Sequence, residues 1–196
     1  MNKILLIDGH SILNRAFYGV PPLTNFEGLH TNAVYGFINI MLKSLEDEHA
    51  DYIAVAFDLK APTFRHEMFA EYKGTRKPMP QELHEQVPVI KEVLAAMTIP
   101  VITLEGYEAD DILGTLAKRC QRDGFEVSIL SGDRDLLQLA DEHIKIRMPK
   151  TVKGQTSIEN YYPSDVIDKY QVTPEEFIDL KALMGDSSDN IPGVPG

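Results

Sequence analysis

The sequence predicts an α/β fold with a central, mainly parallel sheet flanked by helices. Short apolar runs rich in β-branched residues (KILLI, YIAVAF, PVITL and EVSIL) alternate with segments of helical period, the pattern of successive βα units. A length of 196 residues suits one ordinary α/β domain, or one domain with part of a second. With 43% hydrophobic and 25% charged residues the chain can bury a sizeable core, which excludes collagen-like, coiled-coil and wholly disordered readings.

The elements follow in order. Strands are expected at Lys3–Ile7, Tyr52–Phe57, Pro100–Leu104 and Glu126–Leu130, with a weaker one near Ile144–Met148. Helices are expected at Asn32–Glu46, Glu82–Met97, Ala109–Gln121 and Arg134–Ala140, with short ones at Ser164–Tyr170 and Pro174–Met184. For the last of these, Thr173 is a suitable N-cap and Pro174 fits the first helical position, where its missing N–H costs nothing. The polar stretch Thr151–Ser157 reads as a hairpin or loop.

Cysteine usage and hydropathy bound the setting. The single cysteine, Cys120, cannot form an internal disulfide, which fits a reducing compartment and an inert buried thiol. The N-terminal apolar run is too short for a signal peptide and is broken by Asp8, and no stretch approaches the ~20 apolar residues of a membrane span. A soluble cytoplasmic protein is expected.

The net charge of −11 argues at first against a phosphate-bearing partner. Its distribution reverses that argument. The connection from Leu59 to Pro80 is too long to be routine, and between Lys60 and Lys77 it carries five basic side chains (Lys60, Arg65, Lys73, Arg76, Lys77) against Glu67 and Glu71, with aromatics interleaved. The acidic residues, in turn, fall at strand ends. The first strand ends in Asp8 and the second in Asp58; Glu108, Asp110 and Asp111 follow the third, Asp133 and Asp135 the fourth. Parallel strands place their C-terminal ends along one edge, where open α/β folds put their sites.

Taken singly, Asp110 or Asp133 reads as a helix cap. Together, seven carboxylates on one edge repel, by roughly 1 kcal/mol per pair ~4 Å apart even in water, and call for cations to neutralise them. Oxygen ligands without Cys/His pairing favour a hard ion, Mg²⁺ or Mn²⁺, over Zn²⁺. Asp186 and Asp189, in the stretch GDSSDN, read alone as a turn after a helix, yet complete a candidate set of nine. Setting those nine aside leaves 21 acidic against 19 basic residues, so most of the acidity belongs to the candidate site.

Other chemistries lack their supports. The sequence contains no G-x-S-x-G elbow, Walker A loop or G-x-G-x-x-G, and its six histidines lack metal-ligand spacing. His10 follows Asp8 closely enough to lie near the site, in a hydrogen-bonding role. A metal-dependent phosphatase would share the acidic strand ends without needing the basic stretch. A non-catalytic nucleic-acid-binding module would need the basic stretch without the carboxylates.

The strings LLIDGHSILNRAF, AVAFDLKAPTFRHEMFAEYKGTR, EGYEADDILGTLA, SILSGDRDLLQL and LMGDSSDNIPGVPG resemble the 5′-nuclease domains at the N-terminus of bacterial DNA polymerases I, relatives of the flap endonucleases and PIN-like (resolvase-like) nucleases. The resemblance spans essentially the whole chain. It implies a PIN-like catalytic domain over residues 1–162, with a helical arch at about 60–80, and the start of a helix-hairpin-helix element within 163–196. It further implies a two-metal DNA phosphodiesterase, a 5′–3′ exonuclease and flap endonuclease, with Asp8, Asp58, Glu108, Asp110 and Asp111 serving one metal region and Asp133, Asp135, Asp186 and Asp189 the other. Asp8 and Asp58 would be catalytic ligands, and Lys73 and Arg76 would contact the scissile phosphate. Arg65, Lys77, Tyr18 and Tyr72 would engage DNA, the two tyrosines by stacking. Gly193 and Gly196 would belong to the duplex-binding element, with a K⁺ ion. The implied partners are DNA with 5′ ends or flaps and RNA primers, in primer removal and repair. A monomeric, nucleoid-associated unit fused to a polymerase is the implied setting.

Overall fold

The computed structural model describes residues 1–152 and 155–195. In chain order the elements are β1 (Lys3–Asp8), α1 (Gly9–Gly19), α2 (Asn32–Glu48), β2 (Tyr52–Ala56), α3 (Phe64–Met68), α4 (Gln81–His84) and α5 (Gln86–Ala96). Then come β3 (Val101–Ile102), α6 (Ala109–Arg122), β4 (Glu126–Leu130), a 3₁₀ turn (Arg134–Leu139), β5 (Ile144–Val152), β6 (Gln155–Tyr161), α7 (Pro163–Tyr170) and α8 (Glu176–Met184).

The six strands form one sheet in the order β3-β2-β1-β4-β5-β6, parallel except for β6, which returns antiparallel beside β5. The expected class therefore holds. β1 lies at the centre, with Leu6 opposite Ala54 on one side and Ile129 on the other. Its side chains divide between two cores. Leu5 and Ile7 pack with Phe37, Met41, Ile90 and Leu94 from α2 and α5, whereas Leu6 packs with Ile112, Leu113 and Ala117 of α6. Burial of each such side chain stabilises by about 1.5–3 kcal/mol, so both faces of β1 are committed and its C-terminal Asp8 is held in place. Val166 of α7 and Phe177 of α8 belong to the same core as α6. Among the described residues no helix is long and apolar enough to cross a membrane.

Several boundaries differ from the sequence reading. α1 was not anticipated. It starts directly at Gly9, where a β-carbon would come within 2.5 Å of the Phe57 ring, so the strand-to-helix turn requires glycine. The helix expected over Glu82–Met97 is two helices, α4 and α5. Pro88 cannot donate to the carbonyl of His84, which is where α4 ends. β3 pairs over two residues only, since it is the sheet edge, and Arg134–Ala140 is a 3₁₀ turn, not an α-helix. Thr173 does cap α8. Its hydroxyl accepts from Glu176 N at 3.2 Å, and the Glu176 carboxylate accepts from Thr173 N at 2.9 Å, although regular helix begins only at Glu176.

Candidate functional site

β1 pairs with both β2 and β4, so the strand order reverses at β1/β4 and opens a crevice beyond their C-terminal ends. Asp8 ends β1 and Asp133 follows β4, while Asp58 follows β2 and Asp110 stands in the first turn of α6. Asp8, Asp58 and Asp133 are oriented by backbone or hydroxyl donors. Asp8 accepts from Ser11 N at 3.0 Å and from the Ser131 hydroxyl at 2.7 Å; the same hydroxyl accepts from Asp133 N at 3.0 Å. Asp133 caps the 3₁₀ turn by accepting from Asp135 N at 2.8 Å. Asp58 accepts from Ala109 N at 2.7 Å, and its carboxylate lies 3.3 Å from His10 Nδ1.

These four carboxylates act on one another. Burial, then the charges of Asp58 and Asp133, push the Asp8 carboxyl up to about 6. Burial, then Asp8, Asp133 and Asp58, push Asp110 up to about 8. Burial also raises Asp58, but His10 and the Ala109 amide outweigh it and hold the group below its ordinary value. Among the described residues none of the four forms an ion pair with lysine or arginine.

The other five carboxylates are matched by cations of the chain itself. Arg65 of α3 grips Asp111 through two bonds of 2.7 and 2.8 Å, which drives the guanidinium up and, against burial, holds Asp111 below its usual range. Lys73 Nζ lies 2.7 Å from Glu108 Oε1, and Arg76 pairs with Asp189. Lys181 bridges Asp135 and Asp186 at 3.0 and 3.1 Å. Burial raises Asp135; in Asp186 the bonds from Ser188 and Lys181 overcome burial and bring the carboxyl to about 2. The candidate set thus divides into an inner four without a lysine or arginine partner among the described residues and an outer five with one.

A cleft of about 870 Å³ opens over the inner four. Seven of the nine carboxylates line it, Asp111 and Asp186 being the exceptions, together with Tyr18, Lys73, Arg76 and Lys77. Tyr18 is 69% exposed at the rim. Tyr72, read from the sequence as a stacking ring, is buried. Its hydroxyl lies 3.0 Å from Glu108 and 3.1 Å from Asp189, and its ring packs edge-on against His66. Arg65 stays outside the cleft, locked on Asp111. Gly193 packs its backbone against Met184; Gly196 lies outside the described residues.

Sequence reasoning named Tyr18 but passed over the rest of its face of α1. Ser11, Asn14 and Arg15, at helical spacing with Tyr18, also line the cleft, and Ser11 Oγ accepts from Gly132 N at 2.9 Å. Arg15 has a buried Nε without a partner among the described residues, and burial lowers its proton affinity with no carboxylate to offset it. Recognising α1 as a helix would have exposed this face.

As placed, no three His, Cys, Asp or Glu side chains among the described residues form a ready ligand set for a metal. The donor chemistry nevertheless fits a hard divalent cation, because Asp8, Asp58, Asp110 and Asp133 are oxygen ligands crowded together, and burial with mutual repulsion raises the proton affinity of Asp8 and Asp110.

Comparison with known proteins agrees with this fold. A model of the "5'-3' exonuclease, N-terminal resolvase-like domain" family matches residues 3–171. DNA polymerase I of Bacillus caldotenax is 55% identical over 99% of the chain, as is that of Bacillus subtilis, and the chain spans 22% of the length of each. A T5 5′-exonuclease with bound zinc superposes with a TM-score of 0.77 at 25% identity, over 100% of this chain and 71% of that one. The T5 flap endonuclease in a complex with DNA and metal ions matches equally well, with a TM-score of 0.77. By its sequence over residues 3–171 and by its fold, the chain belongs to the family of 5′–3′ exonuclease N-terminal, resolvase-like domains.

Proposed function

We propose that this chain is a divalent-metal-dependent 5′–3′ exonuclease and 5′-flap endonuclease, hydrolysing DNA phosphodiesters by a two-ion mechanism. The observation that carries this reading is the convergence of Asp8, Asp58 and Asp133 from three strand ends and of Asp110 from the first turn of α6 beneath a rim bearing Lys73 and Arg76. Asp8, Asp58, Asp110 and Asp133 would hold Mg²⁺ or Mn²⁺, with Glu108, Asp111, Asp135, Asp186 and Asp189 around them. Bound divalent cations supply an activated water and stabilise charge on the phosphate and leaving oxygen.

The chain's own residues do the rest. Carboxylates repel the substrate's phosphates, so the positive charges of Lys73 and Arg76 hold the scissile group over the acidic floor. Tyr18, exposed at the rim, stacks on an unpaired terminal base, a contact worth about 1–3 kcal/mol. Arg15 offers a second phosphate contact that no internal carboxylate competes for. Residues 163–196 would open the duplex-binding region, where Gly193 and Gly196 would lie against backbone phosphates and help to hold a K⁺ ion. The partners on this reading are 5′ flaps, 5′ ends and RNA primers, met in the bacterial cytoplasm by a monomeric unit joined to a polymerase.

Cleavage of a 5′-labelled flap duplex by the purified chain tests this. Cutting near the junction with Mg²⁺ or Mn²⁺ and none with EDTA is expected. Hydrolysis of a small chromogenic phosphate ester without DNA cutting would replace the reading by a phosphatase.

A further inference from the structure

The basic segment and the acidic C-terminal turn meet along one seam. Lys73 N donates to the Asp189 carbonyl at 2.9 Å, and Arg76 Nε donates to the Ser188 carbonyl at 3.3 Å. The Tyr72 hydroxyl lies 3.1 Å from Asp189 Oδ2. One more bond closes the seam: Asn190 Nδ2 donates to the Glu71 carbonyl at 3.0 Å. Asn190 and Lys73 both occupy the left-handed region, at φ 61° and 56°. Such backbone is costly outside glycine and asparagine and persists where surrounding contacts over-determine it.

These contacts differ in what happens when a phosphate arrives. The Lys73–Glu108 and Arg76–Asp189 ion pairs must exchange partners, because their cations turn to the substrate. Asn190 to Glu71, and Lys73 N to Asp189, are neutral bonds to backbone carbonyls, and their donors lack the charge that draws the Lys73 and Arg76 side chains to a phosphate. They can hold the two segments in register while the ion pairs rearrange.

We propose that Asn190 is a positioning residue for the nuclease reaction: its amide ties the basic segment to the acidic turn, so that Lys73, Arg76 and Asp189 meet the substrate as one unit. The inference rests on the functional reading above for what Lys73 and Arg76 do, and on the seam alone for the tie.

Two variants separate the tie from the turn. Asn190→Gly keeps the left-handed backbone and deletes the amide; Asn190→Asp keeps the size and sets an acceptor against the Glu71 carbonyl. Amide hydrogen exchange of the full 196-residue chain, without metal or DNA, is followed in the peptide spanning residues 70–78 and in β1 and β4. Both variants are expected to exchange about fivefold faster or more in 70–78 and like the parent in the two strands. On the flap duplex kcat is expected to fall about tenfold with KM moving less than about threefold, since orientation and not binding is lost. Unchanged exchange in 70–78 overturns the proposal, and so does faster exchange with an unaltered kcat. If the parent chain cuts no DNA, the positioning role falls with the nuclease reading, and the exchange result still decides whether the tie exists.

Discussion

Lys73 belongs to both halves of the acidic site. Its Nζ lies 2.7 Å from Glu108 Oε1 in the outer set, while its charge acts on Asp58 and Asp110 of the inner set. A side chain so placed can leave Glu108 for a phosphate without leaving the site. Lys73→Met is therefore expected to lower the single-turnover rate on a flap duplex roughly 10²- to 10³-fold, in the range of a lost oxyanion donor, while leaving the fold intact. Rate measurements at saturating enzyme, with urea unfolding as the stability control, check this.

The inner carboxylates should make the metal-free fold less stable as pH rises. Asp8 and Asp110 bind protons more tightly folded, near 6 and 8, than unfolded, near 3.8. Their contribution is complete below about pH 4 and is lost as pH rises through 6 and 8, by on the order of 2 kcal/mol or more. Urea unfolding in EDTA at pH 5 and 8.5 measures it. Asp110→Asn should flatten the difference, and added Mg²⁺ should restore stability at the alkaline end.

Asp186 titrates in the opposite sense. Its folded value of about 2 lies below the unfolded 3.8, so its contribution is present above pH 4 and fades as pH falls toward 2. The group is partly exposed and its pair with Lys181 is screened, so the effect is expected to stay below about 1 kcal/mol. Lys181→Met should shift the acid limb of the unfolding curve upward, because Asp135 and Asp186 then face each other without the bridging ammonium.

Asp133 carries two roles that one substitution confounds. Asp133→Ala removes a repulsive charge but also the cap on the 3₁₀ turn, at a cost of about 1 kcal/mol, so its metal-free stability should move little. Asp133→Asn keeps an acceptor for Asp135 N and should be the more stable variant. Both should lower turnover by orders of magnitude, and equal activity in either would remove Asp133 from the metal site.

Arg15 should contribute to DNA binding without contributing an internal ion pair. Arg15→Met is expected to weaken binding to all sequences alike and to reduce the slope of log K against log salt by about 1. Fluorescence anisotropy in EDTA across a KCl series reads this directly.

The strand ends were legible because periodicity locates parallel strands and a parallel sheet aligns their C-termini. Asp8, Asp58, Asp110 and Asp133 follow from that alone. The division of the carboxylates was not legible: Lys73 meets Glu108 across 35 residues and Arg76 meets Asp189 across 113, distances at which sequence pattern carries no pairing information. α1 was missed because it begins at a glycine with no polar spacer after β1, and with it the lining face of Asn14 and Arg15 went unread. Tyr72 reads as an exposed aromatic in a basic stretch, yet its hydroxyl finds two carboxylates from distant segments and the ring is buried with it.

The inner four carboxylates are expected to form a cation site, and the outer five, held by lysine and arginine, are not. Calorimetric titration of the chain with Mn²⁺, without DNA, compared with Asp110→Asn and with Asp111→Asn, tests it most directly. Binding by the parent is expected, with affinity reduced about tenfold or more in Asp110→Asn and a smaller change in Asp111→Asn. Equal binding by the parent and Asp110→Asn, or no binding by the parent at all, would contradict it.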